Sequence, residues 1–104
     1  MISVDTFRQL ALSFPGTIEL PHFEKTSFRV NKKIFATLDT NKKIASLKLS
    51  PTDQSVFCLV DKNIIYPVPN KWGQQGWTLF ELAKMKKALM KDALNVAYQT
   101  VTAK

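Results

Sequence analysis

From Ser27 to Leu49, apolar and polar side chains alternate in three short runs separated by two lysine-bearing turns. Phe28 and Val30 share one face of the first run, and Ser27 and Arg29 the other. Asn31-Lys32-Lys33 turns the chain into Ile34-Phe35-Ala36-Thr37-Leu38. Residues 39–43 turn it again, into Ala45, Leu47 and Leu49 alternating with Ser46 and Lys48. A period of two with one apolar face marks a half-buried strand, and turns this short join neighbouring strands only in antiparallel fashion. The result is an antiparallel meander with one wet face, whose other face needs an apolar cover. On the wet face Arg29 and Lys48 are expected to flank Phe35 and Thr37.

The flanking segments supply that cover. Val4, Phe7, Leu10, Ala11 and Phe14 recur at helical spacing behind Ser3, which is placed to cap the helix, and Pro15-Gly16 ends it. Ser50-Pro51-Thr52-Asp53 joins a capping serine, a proline at the first helical position and an acid three residues after the cap. It should start a short second helix that reaches about Asp61. Ile64-Ile65-Tyr66 and Trp77 to Leu82 read as two further strands. A long helix follows, from about Lys84 to Ala103. Its apolar stripe is Met85, Leu89, Ala93, Val96, Ala97 and Val101, with Lys84, Lys87 and Lys91 on the opposite side. At 104 residues there is room for one core, so residues 1–104 are expected to form a single domain. The expected fold class is α+β: a two-layer sandwich in the order α-β-β-β-α-β-β-α, with an antiparallel sheet and helices packed on one face.

Trp72-Gly73-Gln74-Gln75-Gly76-Trp77 holds both tryptophans and two of the three glycines, directly after Tyr66-Pro67-Val68-Pro69-Asn70. Glycine spacing this dense implies a demanding backbone, and the indoles place large aromatic area in a loop. Trp72 is expected to stay partly exposed, and Trp77 to pack in the core as the start of a strand.

Fifteen Lys and Arg against eight Asp and Glu leave a formal charge of +7 and a pI near 9.7. That balance draws a domain toward polyanions. Lys25, Arg29, Lys32, Lys33, Lys42, Lys43 and Lys48 all lie in the meander or its turns, where only Glu24 and Asp39 oppose them. No apolar run approaches the roughly 20 residues that span a bilayer, so no membrane association is expected. Met1 to Asp5 lacks the basic start and apolar run of a secretory leader, and Cys58 is the only cysteine. Both point to a cytoplasmic protein.

Leu20-Pro21-His22-Phe23, Thr26-Ser27-Phe28-Arg29-Val30, Lys33-Ile34-Phe35-Ala36 and Leu47-Lys48-Leu49-Ser50-Pro51 occur in that order. The tryptophan loop and Ala97-Tyr98 follow. In this ordered set, over essentially its whole length, the chain resembles the MmcQ/YjbR family of small bacterial proteins. The resemblance implies a fold similar to the bacterial frataxin and secretion-chaperone type. It also implies a DNA-binding role through a double-wing arrangement. One departure is Lys32, which stands where the family often has glycine before the lysine of the second strand.

Catalysis finds little support. His22 is the only histidine, and a metal site would need further ligands. A Cys58–His22 dyad is formally available, but Cys58 sits among apolar helix positions and His22 fits a packing role at the entry to the first strand. No phosphate-cradling glycine loop of the P-loop or dinucleotide type is present. Iron handling of the frataxin kind needs carboxylates along the first helix, which has only Asp5, offset by Arg8. No enzyme activity, cofactor or metal is therefore expected.

The leading expectation is a monomeric, non-catalytic nucleic-acid-binding domain with DNA as its partner. Its site residues would be Arg29, Lys32, Lys33, Lys42, Lys43, Lys48, Lys71 and Trp72, contacting mainly the backbone. Trp72 would offer a stacking face for an unpaired base, or a wedge. The alternatives are a protein-interaction adaptor anchored by Trp72, or a binder of a small anionic ligand beside Trp72 and Lys48.

Overall fold

The computed structural model describes residues 2–103. Helix α1 (Val4–Leu12) starts at Ser3, whose hydroxyl accepts a 3.0 Å hydrogen bond from the Thr6 amide. Four strands follow: β1 (Ile18–His22), β2 (Lys25–Val30), β3 (Lys33–Asp39) and β4 (Ile44–Lys48). Helix α2 (Pro51–Cys58) has Ser50 as its cap, accepting from the Asp53 amide at 3.1 Å. Strand β5 (Ile65–Pro67), the one-turn helix α3 (Lys71–Gln74) and strand β6 (Trp77–Glu81) come next. A 3₁₀ turn (Leu82–Lys84) leads into the long helix α4 (Lys87–Thr102).

The α+β class is as expected, with one strand more than the alternation announced. The sheet is antiparallel with six strands in the order β1-β2-β3-β4-β6-β5. Strand β1 is an edge strand, and its exposed Ile18 and Leu20 give it no buried apolar face for a pattern to betray. Pro21, which has no amide hydrogen to donate, fits such an edge.

Alternation sends Phe28, Ala36, Leu38, Ala45, Leu47, Phe80 and Ile65 to the inner face, where all are buried. Helix α4 covers them with Met90, Ala93, Leu94 and Ala97, and Phe7 and Ala11 of α1 complete the core. Met90 and Leu94 lie outside the predicted stripe. At helical spacing they share one face with Ala93 and Ala97, and the predicted stripe misses them because it is phased on Met85, which is buried ahead of the helix.

A bulge changes the meander. Phe28 pairs with Ala36 but Arg29 pairs with Ile34, so Phe35 is an extra residue on β3. Phe35 thereby joins Ala36 on the inner side, fully buried and edge-on to Phe14 and Tyr98. The expectation that Phe35 lies between Arg29 and Lys48 on the wet face is thus corrected: Ile34 takes that place.

The hairpins have unusual tips. Asn31 (φ 51°) and Lys32 (φ 67°) are both left-handed, as a two-residue hairpin turn of the mirror-image type requires. Lys32 occupies a conformation that glycine adopts freely, at a cost of about 1 kcal/mol. Phe23 (φ 59°) sits at the β1–β2 tip under the same constraint, although it is an aromatic residue.

Candidate nucleic-acid interface

All the strands turn their second set of side chains to a face that no long helix covers. The register aligns Leu20, Ser27, Thr37, Ser46, Leu79 and Tyr66 in one row across the six strands of that outer face. A groove of about 360 Å³ lies on it. Ile34, Thr37 and Ser46 form the floor, with Val68, Trp72 and Trp77 toward one edge of the sheet and His22 and Lys25 toward the other.

Trp77 therefore lines the groove instead of packing in the core. The inner positions of β6 belong to Thr78 and Phe80, both fully buried, and strand alternation then turns Trp77 outward. A polar residue can hold the inner position because its hydroxyl is satisfied. Thr78 Oγ1 donates to the Gly76 carbonyl at 3.0 Å and receives the Gln54 amide at 3.1 Å. Trp72 is 52% exposed, as its place in a loop suggests.

The tryptophan loop is held close against its neighbours. Val68 N–H donates to the Trp77 carbonyl, and Leu49 N–H to the Gly76 carbonyl, each at 3.0 Å. Asn70 caps α3 by accepting from the Trp72 amide at 2.8 Å. A Cβ at Gly73 would lie 2.0 Å from the Val68 carbonyl oxygen, and one at Gly76 only 1.7 Å from that of Leu49.

Gln54 of α2 ties these parts together. Its side-chain amide lies 2.9 Å from the Gly73 carbonyl and 3.1 Å from that of Trp77, besides its bond to Thr78. Sequence reasoning missed Gln54 because two of its partners are main-chain carbonyls about 20 residues away, which no side-chain pattern announces. Gln54→Ala should lower the unfolding free energy by about 1–3 kcal/mol, the cost of unpaired acceptors in a partly closed site. Urea denaturation with tryptophan emission as the probe measures it.

The basic residues fall into two groups. Lys32, Lys33, Lys42, Lys43 and Lys71 are exposed, and none takes part in the ion pairs of the described residues, which are Arg8–Asp5, Arg8–Glu19 and Lys84–Glu81. Arg29 and Lys48 are half-buried and engaged within the fold. Arg29 Nε donates to Ser27 Oγ at 3.0 Å, and Lys48 Nζ donates to the Gln75 carbonyl, bracing the tryptophan loop. The two lysine turns stand at opposite ends of β3, about 20 Å apart for a seven-residue strand.

Two acids on this face, Asp39 and Glu81, are already occupied, whereas Glu24 at the β1–β2 tip is exposed. Asp39 Oδ1 accepts from the amides of Asn41 and Lys42 at 3.0 Å, and the Lys42 bond is the first cause that holds its carboxyl below the usual range. Glu81 receives the Tyr66 hydroxyl at 2.8 Å, which raises the Tyr66 pKa.

The remaining candidates for chemistry do not meet. Cys58 packs against the core, where burial raises its thiol pKa, whereas His22 lines the groove on the other face of the sheet. Among the described residues no group of three His, Cys, Asp or Glu is placed to hold a metal ion, and no helix is long and apolar enough to cross a membrane.

The family model named YjbR matches residues 12–100, a span that takes in the entire sheet, the groove and the tryptophan loop. The chain belongs to the YjbR family. Its fold is also that of the crystal structure of Deinococcus radiodurans protein DR2400, with its family-model domain DUF419. The two superpose with a TM-score of 0.84 over 100% of this chain and 81% of that one, at 24% sequence identity. No curated protein matches the chain. In this YjbR domain the strings that carried the resemblance have identifiable structural roles. Leu20 to Phe23 end the edge strand, Lys33 to Ala36 carry the bulge, and Ser50-Pro51 starts the helix that supplies Gln54. Tyr98 of the last helix donates to the Pro15 carbonyl, fastening α4 over the end of α1.

Proposed function

We propose that this domain binds nucleic acid, most naturally DNA, across the uncovered face of its sheet, without catalysing a reaction. The observation that carries the proposal is a single open face whose central strand runs between two turns of exposed lysines, with a half-exposed indole beside its groove; of these lysines, Lys33 pairs with buried Val30 and so shares the side of the sheet that the helices cover. Lysines free of carboxylate partners can neutralise phosphates and release the counterions condensed on a polyanion. A separation of about 20 Å suits a polymer that presents phosphates all along its length better than a small anion. The contacts are with the backbone and therefore tolerant of sequence. Recognition through a major-groove helix is not part of the proposal.

Titration of fluorescently labelled DNA with the protein at two salt concentrations tests this. Micromolar binding at 50 mM salt that weakens steeply by 200 mM is the expected result. Absence of binding at about 100 µM protein in 50 mM salt, weaker than ordinary non-specific association, would remove the proposal. Binding of a protein partner through Trp72 would instead survive high salt and nuclease treatment.

A further inference from the structure

We propose that the groove on the outer face receives one unstacked base, so that the domain prefers single-stranded to double-stranded nucleic acid. This rests on the nucleic-acid proposal and adds what the lysine turns cannot supply. Phosphate contacts alone place a backbone without distinguishing a lone strand from a duplex.

The groove has the make-up of a site for a flat heteroaromatic ring. Its volume of about 360 Å³ falls in the range of small-ligand clefts. Val68 and the two indoles give it apolar walls, and the floor joins Ile34 to the hydroxyls of Thr37 and Ser46. Neither tryptophan belongs to the aromatic pairs formed among the described residues, so no ring of the protein stacks on the indoles. In a duplex every base is stacked on its neighbours and its pairing edge is turned inward, so a shallow groove on a sheet cannot take it. A base of a single strand can turn out and stack on an aromatic side chain.

Across the sheet, Phe23 is 95% exposed at the β1–β2 tip, edge-on to His22 with ring centroids 4.9 Å apart. It stands on the far side of the sheet from Trp77, at the turn between β1 and β2, with β3 and β4 between them. Apart from its edge-on contact with His22, the Phe23 ring is held in solvent on a constrained tip and takes no part in the core. It forms a second stacking station at the end of the groove remote from Trp72. A single strand crossing the meander would then meet an indole, the groove floor and a phenyl ring in turn, while the lysine turns hold its phosphates.

The test compares a short labelled oligothymidylate, a duplex of equal length and an abasic strand of equal length, each at 50 mM salt, with wild type, Trp72→Ala and Trp72→Phe. Circular dichroism confirms that the exposed-site variants are folded. The wild type should bind the oligothymidylate at least about tenfold more tightly than the duplex, and the abasic strand no better than the duplex. Trp72→Ala should weaken the oligothymidylate by about 5- to 100-fold, the loss of one stacked base, and weaken the duplex far less. Trp72→Phe should recover most of the loss. Equal binding of single strand and duplex by the wild type, or an equal loss on both with Trp72→Ala, overturns the base groove while leaving the nucleic-acid proposal standing. No binding of any probe overturns both.

Discussion

Gly76→Ala is expected to lower stability by about 2–6 kcal/mol, a large part of what a domain of this size possesses. Two effects add. At φ 105° the backbone lies outside the small left-handed region that an L-residue can enter, which costs about 1–3 kcal/mol. The new methyl would also stand 1.7 Å from the Leu49 carbonyl oxygen, and the Leu49 amide bond to the Gly76 carbonyl keeps the two chains from separating. Relieving the overlap means pulling the tryptophan loop from the end of β4, at a further cost of about 1–3 kcal/mol. Gly16 is the internal comparison. It too has positive φ, 76°, but its Cβ would meet only a Val30 methyl at an ordinary 3.6 Å. Gly16→Ala should therefore cost about 1 kcal/mol. Gly73→Ala isolates the opposite effect, since a Cβ there meets the Val68 carbonyl oxygen at 2.0 Å with no positive φ involved. Urea denaturation of the three variants separates backbone strain from lack of space. Equal losses at Gly16 and Gly76 would show that close packing of the loop contributes nothing.

Replacing Lys32, Lys33, Lys42 and Lys43 together by alanine should weaken nucleic-acid binding by about 100-fold or more at 50 mM salt. The slope of log K against log salt should flatten by up to about 3–4 units, at about 0.7–0.9 for each phosphate no longer neutralised. The formal charge falls from +7 to +3, and a general loss of attraction contributes to any such result. The two double variants provide the control. Because the turns cap opposite ends of β3, a polymer lying over the sheet touches both, and Lys32/Lys33 and Lys42/Lys43 should each account for about half of the slope change. Removing Lys84, Lys87 and Lys91, all exposed beside or on α4, takes away nearly as much charge from elements that cover the inner face. That variant should keep most of the slope. The fold should tolerate these changes, since of the lysines concerned only Lys84 belongs to an ion pair, a partly exposed one with Glu81 at 3.7 Å.

Much of the fold can be read from the chain because local signals and burial agree. Ser3 and Ser50 both cap helices as their neighbours imply, and the alternations of β2, β4 and β6 each point one residue set into the core. The reading fails where a tertiary interaction sets the outcome. Strand β1 has no buried apolar face and contains Pro21, so only its pairing with β2 makes it a strand. Phe35 turns inward because a bulge interrupts the period of two, a one-residue slip that no alternation count contains. Trp77 has the size and apolarity of a core residue, yet it faces the groove because buried Thr78 finds partners in Gly76 and Gln54. At the candidate interface the lysine turns and Trp72 are visible in the sequence. The groove is not, since its floor of Ile34, Thr37 and Ser46 exists only once the strands are in register.

Amide chemical-shift mapping of the isotope-labelled protein during titration with a short single-stranded DNA puts the central claim to its most direct test. Binding at the uncovered side should move the signals of Thr37, Ser46, Trp72 and Trp77, the two indole N–H groups and the lysine turns. The signals of α1 and α4 should remain in place. Shifts concentrated along Lys84, Lys87 and Lys91, with the groove residues unmoved, would mean that the polyanion attaches to the helical side and that the open face has another purpose.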